Sequence, residues 1–92
     1  MNTVKFEDYQ KIKKDFYQKH GKCKELIDGN DLHNLTTVRF EDGSIWYETT
    51  RTIDEEITGE VHGVPYRFLV IVAEIEFWTN ENSESQVTYR KA

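Results

Sequence analysis

The sequence predicts an α+β fold, with one N-terminal helix packed on a four- to five-stranded antiparallel β-meander. Three observations carry this. Apolar residues recur at helical spacing only near the N-terminus. The rest of the chain alternates in strand-like runs bounded by turn residues. One of those runs, residues 66–79, is long and apolar enough to form the centre of a sheet. The 92 residues fit a single domain, residues 1–92.

The helix comes first. Phe6, Tyr9, Ile12, Phe16 and His20 stand three and four residues apart, an amphipathic stripe over about residues 5–20. Glu7 and Asp8 suit its positive N-terminal end and Lys19 its C-terminal end. Glu7 is placed to pair with Lys11 one turn on. Thr3 is the candidate N-cap, and Gly21 the natural stop.

Residues 21–35 read as a connector with two options at residues 22–27, a short strand or a second helical turn. Asp28-Gly29-Asn30-Asp31 is turn chemistry. Leu26, Ile27, Leu32 and Leu35 give this stretch enough apolar surface to pack on something.

Strands are expected at about 36–41, 44–51, 55–62, 66–79 and 85–90. A two-residue turn at Asp42-Gly43 sets Phe40 opposite Ile45 and Val38 opposite Tyr47, with Arg39 and Trp46 on the other face. A type II′ turn at Gly63-Val64 sets Glu60 opposite Arg67 and Phe68 over Gly59. A five-residue loop, Asn80 to Glu84, sets Phe77 opposite Val87 and Glu74 opposite Arg90. A four-residue loop would instead set Phe77 opposite Gln86.

The run 66–79 has two apolar faces. Leu69, Ile71, Ala73, Ile75 and Phe77 are expected under the helix. Tyr66, Phe68, Val70 and Val72 lie on the other face, which turns acidic at Glu74 and Glu76 before Trp78. Ile57 and Val61 extend the apolar part. A sheet covered on one side carries polar residues on the other, so this second face needs a cover. The connector is one choice and another chain, including a second copy, is the other.

This outline resembles several small α+β superfolds, the cystatin-like ones among them. The resemblance is one of fold and implies no function.

The chemistry-bearing residues form no closed set. His20, Cys23 and His33 are a conceivable metal or Cys/His pair, but a structural zinc site wants four ligands. Asp28 to Asp31 fails the calcium-loop pattern, since no Gly or distal Glu falls where an EF-hand needs it. Glu74 and Glu76 sit about 7 Å apart on one strand face, a solvated edge rather than a catalytic cleft. No phosphate loop, nucleophile elbow or paired-cysteine motif is present. We therefore expect no catalytic residues, no metal and no cofactor.

Charge is unevenly spread. The net charge is −5. Residues 1–24 carry seven lysines against three acids, a net of +4, and the remainder carries −9. An acidic sheet argues against direct nucleic-acid binding despite the lysines of the helix. The N-terminus has no signal-peptide core and no run is long enough to span a bilayer as a helix, so the expected location is the cytoplasm, with no membrane partner.

The function expected is a small non-enzymatic interaction module, a regulator or inhibitor binding another protein through Tyr66, Phe68, Val70, Val72, Ile57, Val61 and Trp78, with a homodimer as a further option. The first alternative is an acidic inhibitor that imitates a nucleic acid and occupies a DNA- or RNA-binding enzyme, of the kind phages and mobile elements encode. Glu41, Asp42, Glu48, Asp54, Glu55, Glu56, Glu74 and Glu76 would stand in for phosphates. The second is a small-molecule binder with a pocket between helix and sheet.

Overall fold

A computed structural model describes residues 2–28 and 35–91. The elements are β1 (Asn2–Thr3), α1 (Phe6–His20), β2 (Cys23–Ile27), β3 (Leu35–Phe40), β4 (Ile45–Val61), β5 (Val64–Thr79) and β6 (Gln86–Lys91). One helix lies on a six-stranded mixed sheet that forms a half-barrel, in the order β1-β6-β5-β4-β3-β2. The antiparallel meander is present from β2 to β6. The expected strands at 44–51 and 55–62 are one strand, β4, while the chain start adds β1, parallel to β6, and the connector adds β2, which makes six.

Helix α1 starts one residue later than expected and ends as expected. Thr3 is not its cap. Thr3 pairs with Val87 in the sheet, and Lys5 occupies the cap position without a side-chain bond. Gly21 closes the helix, its N–H donating to the Tyr17 carbonyl at 2.9 Å. Tyr9, Phe16 and Tyr17 then meet Val38, Phe40, Trp46, Ile75 and Phe77 of the sheet, which is the core.

All three hairpin registers differ from the sequence expectation. In the first, Val38 faces Trp46 and Arg39 faces Ile45. Glu41 joins the loop, Phe40 N–H donates to the Ser44 carbonyl at 2.9 Å, and Gly43 takes φ +90°. This is a three-residue loop with a left-handed last residue. The one-residue slip turns Trp46 inward, where it is 1% exposed. Burying the largest side chain outweighs the two-residue turn.

In the second hairpin the turn is His62-Gly63, both at positive φ (51° and 77°), as a type I′ turn requires. Faces are kept, but Tyr66 rather than Phe68 lies opposite Gly59, and Arg67 pairs with Glu56 at 3.1 Å rather than with Glu60. In the third, Phe77 lies opposite Gln86 and Glu76 opposite Val87. The loop is closed by the Thr79 N–H donating to the Asn82 carbonyl at 3.2 Å, and Asn80 anchors it. Its Oδ1 accepts from Ile45 N–H at 2.8 Å, which ties the loop to β4. Glu74 lies directly opposite Arg51 in the β4–β5 ladder and pairs with it, not with Arg90.

Strands β4 and β5 form one continuous ladder from Trp46–Thr79 to Val61–Val64, so the expected break at residues 52–54 is absent. Their neighbours stop early. Strand β3 begins at Leu35, opposite Thr49, and β6 ends pairing Lys91 with Val72. Beyond those points the described residues form a two-stranded arm with neither outer edge paired. The arm gives the molecule a 59 Å long axis and a radius of gyration of 16.9 Å, against about 12 Å for a compact domain of this length.

Candidate interaction surface

The arm alternates like any strand pair. Its helix-side face, continuous with Trp46, Ile75 and Phe77, carries Ile71 and Leu69 beside Asp54, Glu56 and Glu60. The helix reaches Ile75 and Phe77 but not these two, so the expectation that it covers the whole row fails. Ile71 is 56% and Leu69 61% exposed.

The opposite face gathers Ile57, Val61, Val64, Tyr66 and Phe68 at the far half of the arm. Phe68 is 50% and Val64 65% exposed. The Tyr66 and Phe68 rings lie nearly parallel with centroids 5.8 Å apart. Tyr66 also lies over Gly59, where any Cβ would fall 2.2 Å from the phenol oxygen. The glycine thus admits the ring, which packs on bare backbone and holds the aromatic pair in place.

Val70 is half-buried and Val72 buried. Val72 floors a groove of about 410 Å³ with Ile53, Tyr89 and Lys91, closed by a 3.8 Å Lys91–Glu55 ion pair. Trp78 lies six residues farther along β5, stacked on Tyr47 at 5.4 Å. The seven residues expected at one surface therefore divide into an exposed arm patch, a buried shelf and a separate Tyr47–Trp78 stack. Val64 was missed, because the II′ reading placed it inside the turn. The described part of the connector does not cover this face. Cys23–Ile27 pairs edge-on with β3 and leaves Leu26 and Ile27 exposed.

The acidic residues do not form one field. Glu48 points under the helix, where its Oε1 accepts from the Tyr9 hydroxyl, from Lys13 Nζ at 3.2 Å and from Trp46 Nε1 at 3.3 Å. Burial first, then this carboxylate, pushes the Tyr9 phenol well above its ordinary value. Glu74 is held by Arg51 on the other face. Asp54, Glu55 and Glu56 are exposed along the arm, while Glu41 and Asp42 belong to the β3–β4 loop at the other end of β4.

His20, Asp42 and Ser44 meet where the helix ends. Asp42 Oδ2 and Ser44 Oγ both lie 2.8 Å from His20 Nδ1. Both partners use the same ring nitrogen, so the serine and the carboxylate compete for it. A relay would place them on opposite nitrogens. Ser44 N–H also donates to Asp42 Oδ1 at 2.9 Å. The cluster latches the helix terminus to the first hairpin. Cys23 is exposed and His33 lies outside the described residues, as does the turn from Gly29 to Asp31. Among the described residues no group of three or more His, Cys, Asp or Glu is arranged for a metal ion, and no helix is long and apolar enough to cross a membrane.

A groove of about 340 Å³ runs between the helix and the β5–β6 loop, with Ile12, Phe16 and Phe77 on its apolar side and Asp15, Lys19 and Glu84 on its polar side. Gln86 lines it, but its Oε1 is fully covered, out of reach of a ligand in the groove.

No protein-family model matches the chain, and no curated protein or solved structure is significantly similar to it. Its functional reading rests on the geometry of its own surface.

Proposed function

We propose that this protein is a small non-enzymatic interaction module, a regulator or inhibitor that engages another protein through the β4–β5 arm. The single observation behind this is the patch of Val61, Val64, Tyr66 and Phe68, exposed on a two-stranded arm with no cover among the described residues. A two-stranded ribbon is marginally stable alone in water. Its aromatic pair is held in place by Gly59, ready to fill a partner's pocket with little ordering to be done on binding. Stacked Tyr and Phe side chains of this kind are typical anchors of protein interfaces. Of the arm's four carboxylates only Glu55 shares this face, beside Val70, so the contact is apolar at its centre and only its rim responds to salt.

The test is a nuclease-treated pull-down with the wild-type protein and with Phe68→Asp, each shown folded by circular dichroism. A stoichiometric protein retained by wild type and lost with Phe68→Asp supports the reading. A partner retained equally by both overturns it. Binding that collapses with moderate salt, and survives Phe68→Asp, transfers the role to the carboxylates.

A further inference from the structure

The helix-side face of the arm poses a separate question. It is the same side of the sheet as α1, yet the helix stops short of it. The molecule therefore has a step on this side, one helix diameter high, about 10 Å. Beside the step lies a bare ribbon from Ile53 to Val61 and its partner strand, about 30 Å long at strand rise. The helix has 15 residues, about 22 Å at helical rise, so a second such helix fits along the ribbon.

Charge selects what fits there. The helix and its exit carry exposed Lys11, Lys14, Lys19, Lys22 and Lys24 against exposed Glu7, Asp8 and Asp15, an excess of two positive charges, and none of these lysines makes an ion pair among the described residues. Among the described residues the attraction between basic helix and acidic sheet is spent on Lys13–Glu48 alone, apart from the His20 latch. The arm segment 53–72 carries Asp54, Glu55, Glu56 and Glu60 against Arg67, a net of −3. Asp54 and Glu60 are exposed and, among the described residues, without an ion pair, and they share the face that carries Ile71 and Leu69.

We infer that two copies of this chain associate face to face, each laying its arm across the helix of the other. A two-fold axis fills both steps in one operation and closes the assembly, as an isologous dimer must. Each arm–helix contact sets Asp54 and Glu60 against the lysines of the facing helix. The Ile71 and Leu69 side chains pack on the exposed Ile12 and on the lysine stems. Area favours the doubled contact. One ribbon face is roughly 30 by 10 Å, about 300 Å², too little alone. With one arm face and one helix face from each copy the footprint is about 600 Å² per partner, the lower end of specific interfaces. The dimer uses the face opposite Phe68, so it can fail while the proposed function stands, and the reverse.

Sedimentation equilibrium of the whole protein tests this. The expected result is a dimer at low salt whose dissociation constant rises at least tenfold by 0.5 M salt, since exposed charge pairs are screened. Ile71→Asp should leave a folded monomer. Lys11→Glu with Lys14→Glu, and separately Asp54→Lys with Glu60→Lys, should each weaken association about tenfold or more. Mixing these two charge-reversed proteins should restore a heterodimer, which loss of folding would not do. A wild type monomeric up to about 1 mM overturns the inference. So does a dimer that persists with Ile71→Asp, or one that Phe68→Asp abolishes while Ile71→Asp does not.

Discussion

Trp46 of β4 stacks on Phe77 of β5 with ring centroids 5.3 Å apart and 13° between planes. The helix closes over this pair through Phe16, 5.4 Å from the indole, and Tyr9, 5.0 Å from Phe77. The stack is where the helix, the long hairpin and the core meet, and the stability of the domain depends on it.

Trp46→Ala should cost about 3–5 kcal/mol, because a fully buried indole leaves a cavity the sheet cannot close. Urea unfolding checks this. Phe68→Asp, on the exposed arm, should cost less than about 1 kcal/mol in the same experiment.

Burial of the Tyr9 phenol, with its bond to Glu48, shapes the alkaline limb together with burial of Tyr17. The Tyr9 phenol titrates higher in the folded protein than in the unfolded chain, where its value is about 10. Its contribution is therefore whole below that value and lost as pH rises towards the folded one. Tyr9→Phe should flatten this fall, and should lower stability at neutral pH by about 1–2 kcal/mol through the lost bond to a carboxylate. Denaturant midpoints from pH 7 to 11 measure both.

The Asp42 latch governs the acid limb. The Ser44 N–H, then the His20 ring, hold the Asp42 carboxyl below the ordinary carboxylate range. Its contribution is present above about pH 4 and is lost as pH falls through the lower folded value. Asp42→Asn should flatten the acid side of the stability profile while leaving the alkaline side alone.

Gly59 and Tyr66 should be coupled. Gly59→Val drives a side chain into the Tyr66 ring and displaces it from the arm patch. The double variant Gly59→Val, Tyr66→Ala should be more stable than the sum of the singles implies, by about 0.5–3 kcal/mol for residues in direct contact. Thermal unfolding of the four proteins gives that coupling.

Some of the fold was legible early. The helical stripe, the Gly21 stop and the two apolar faces of residues 66–79 follow from local spacing, and each is in the structure. The hairpin registers were not legible, because turn chemistry at Asp42-Gly43 and Gly63-Val64 competes with burial elsewhere. Trp46 inside the core outweighed the short turn, and the Thr79–Asn82 loop bonds accompany a third register with Phe77 opposite Gln86. Glu48 looked like any surface acid, since nothing nearby in sequence announces a bond to Tyr9, 39 residues away.

By itself the sequence determined the helix, the antiparallel succession of strands that follows it and the surplus of apolar surface on the long strand, all consequences of periodicity within a few residues, but not β1, β2 or the continuity of β4. Only the tertiary structure decided where that surplus lies. How far β3, β6 and the helix extend along the β4–β5 ladder depends on contacts between distant segments. That extent divides Ile75 and Phe77 in the core from Leu69 and Ile71 in the open.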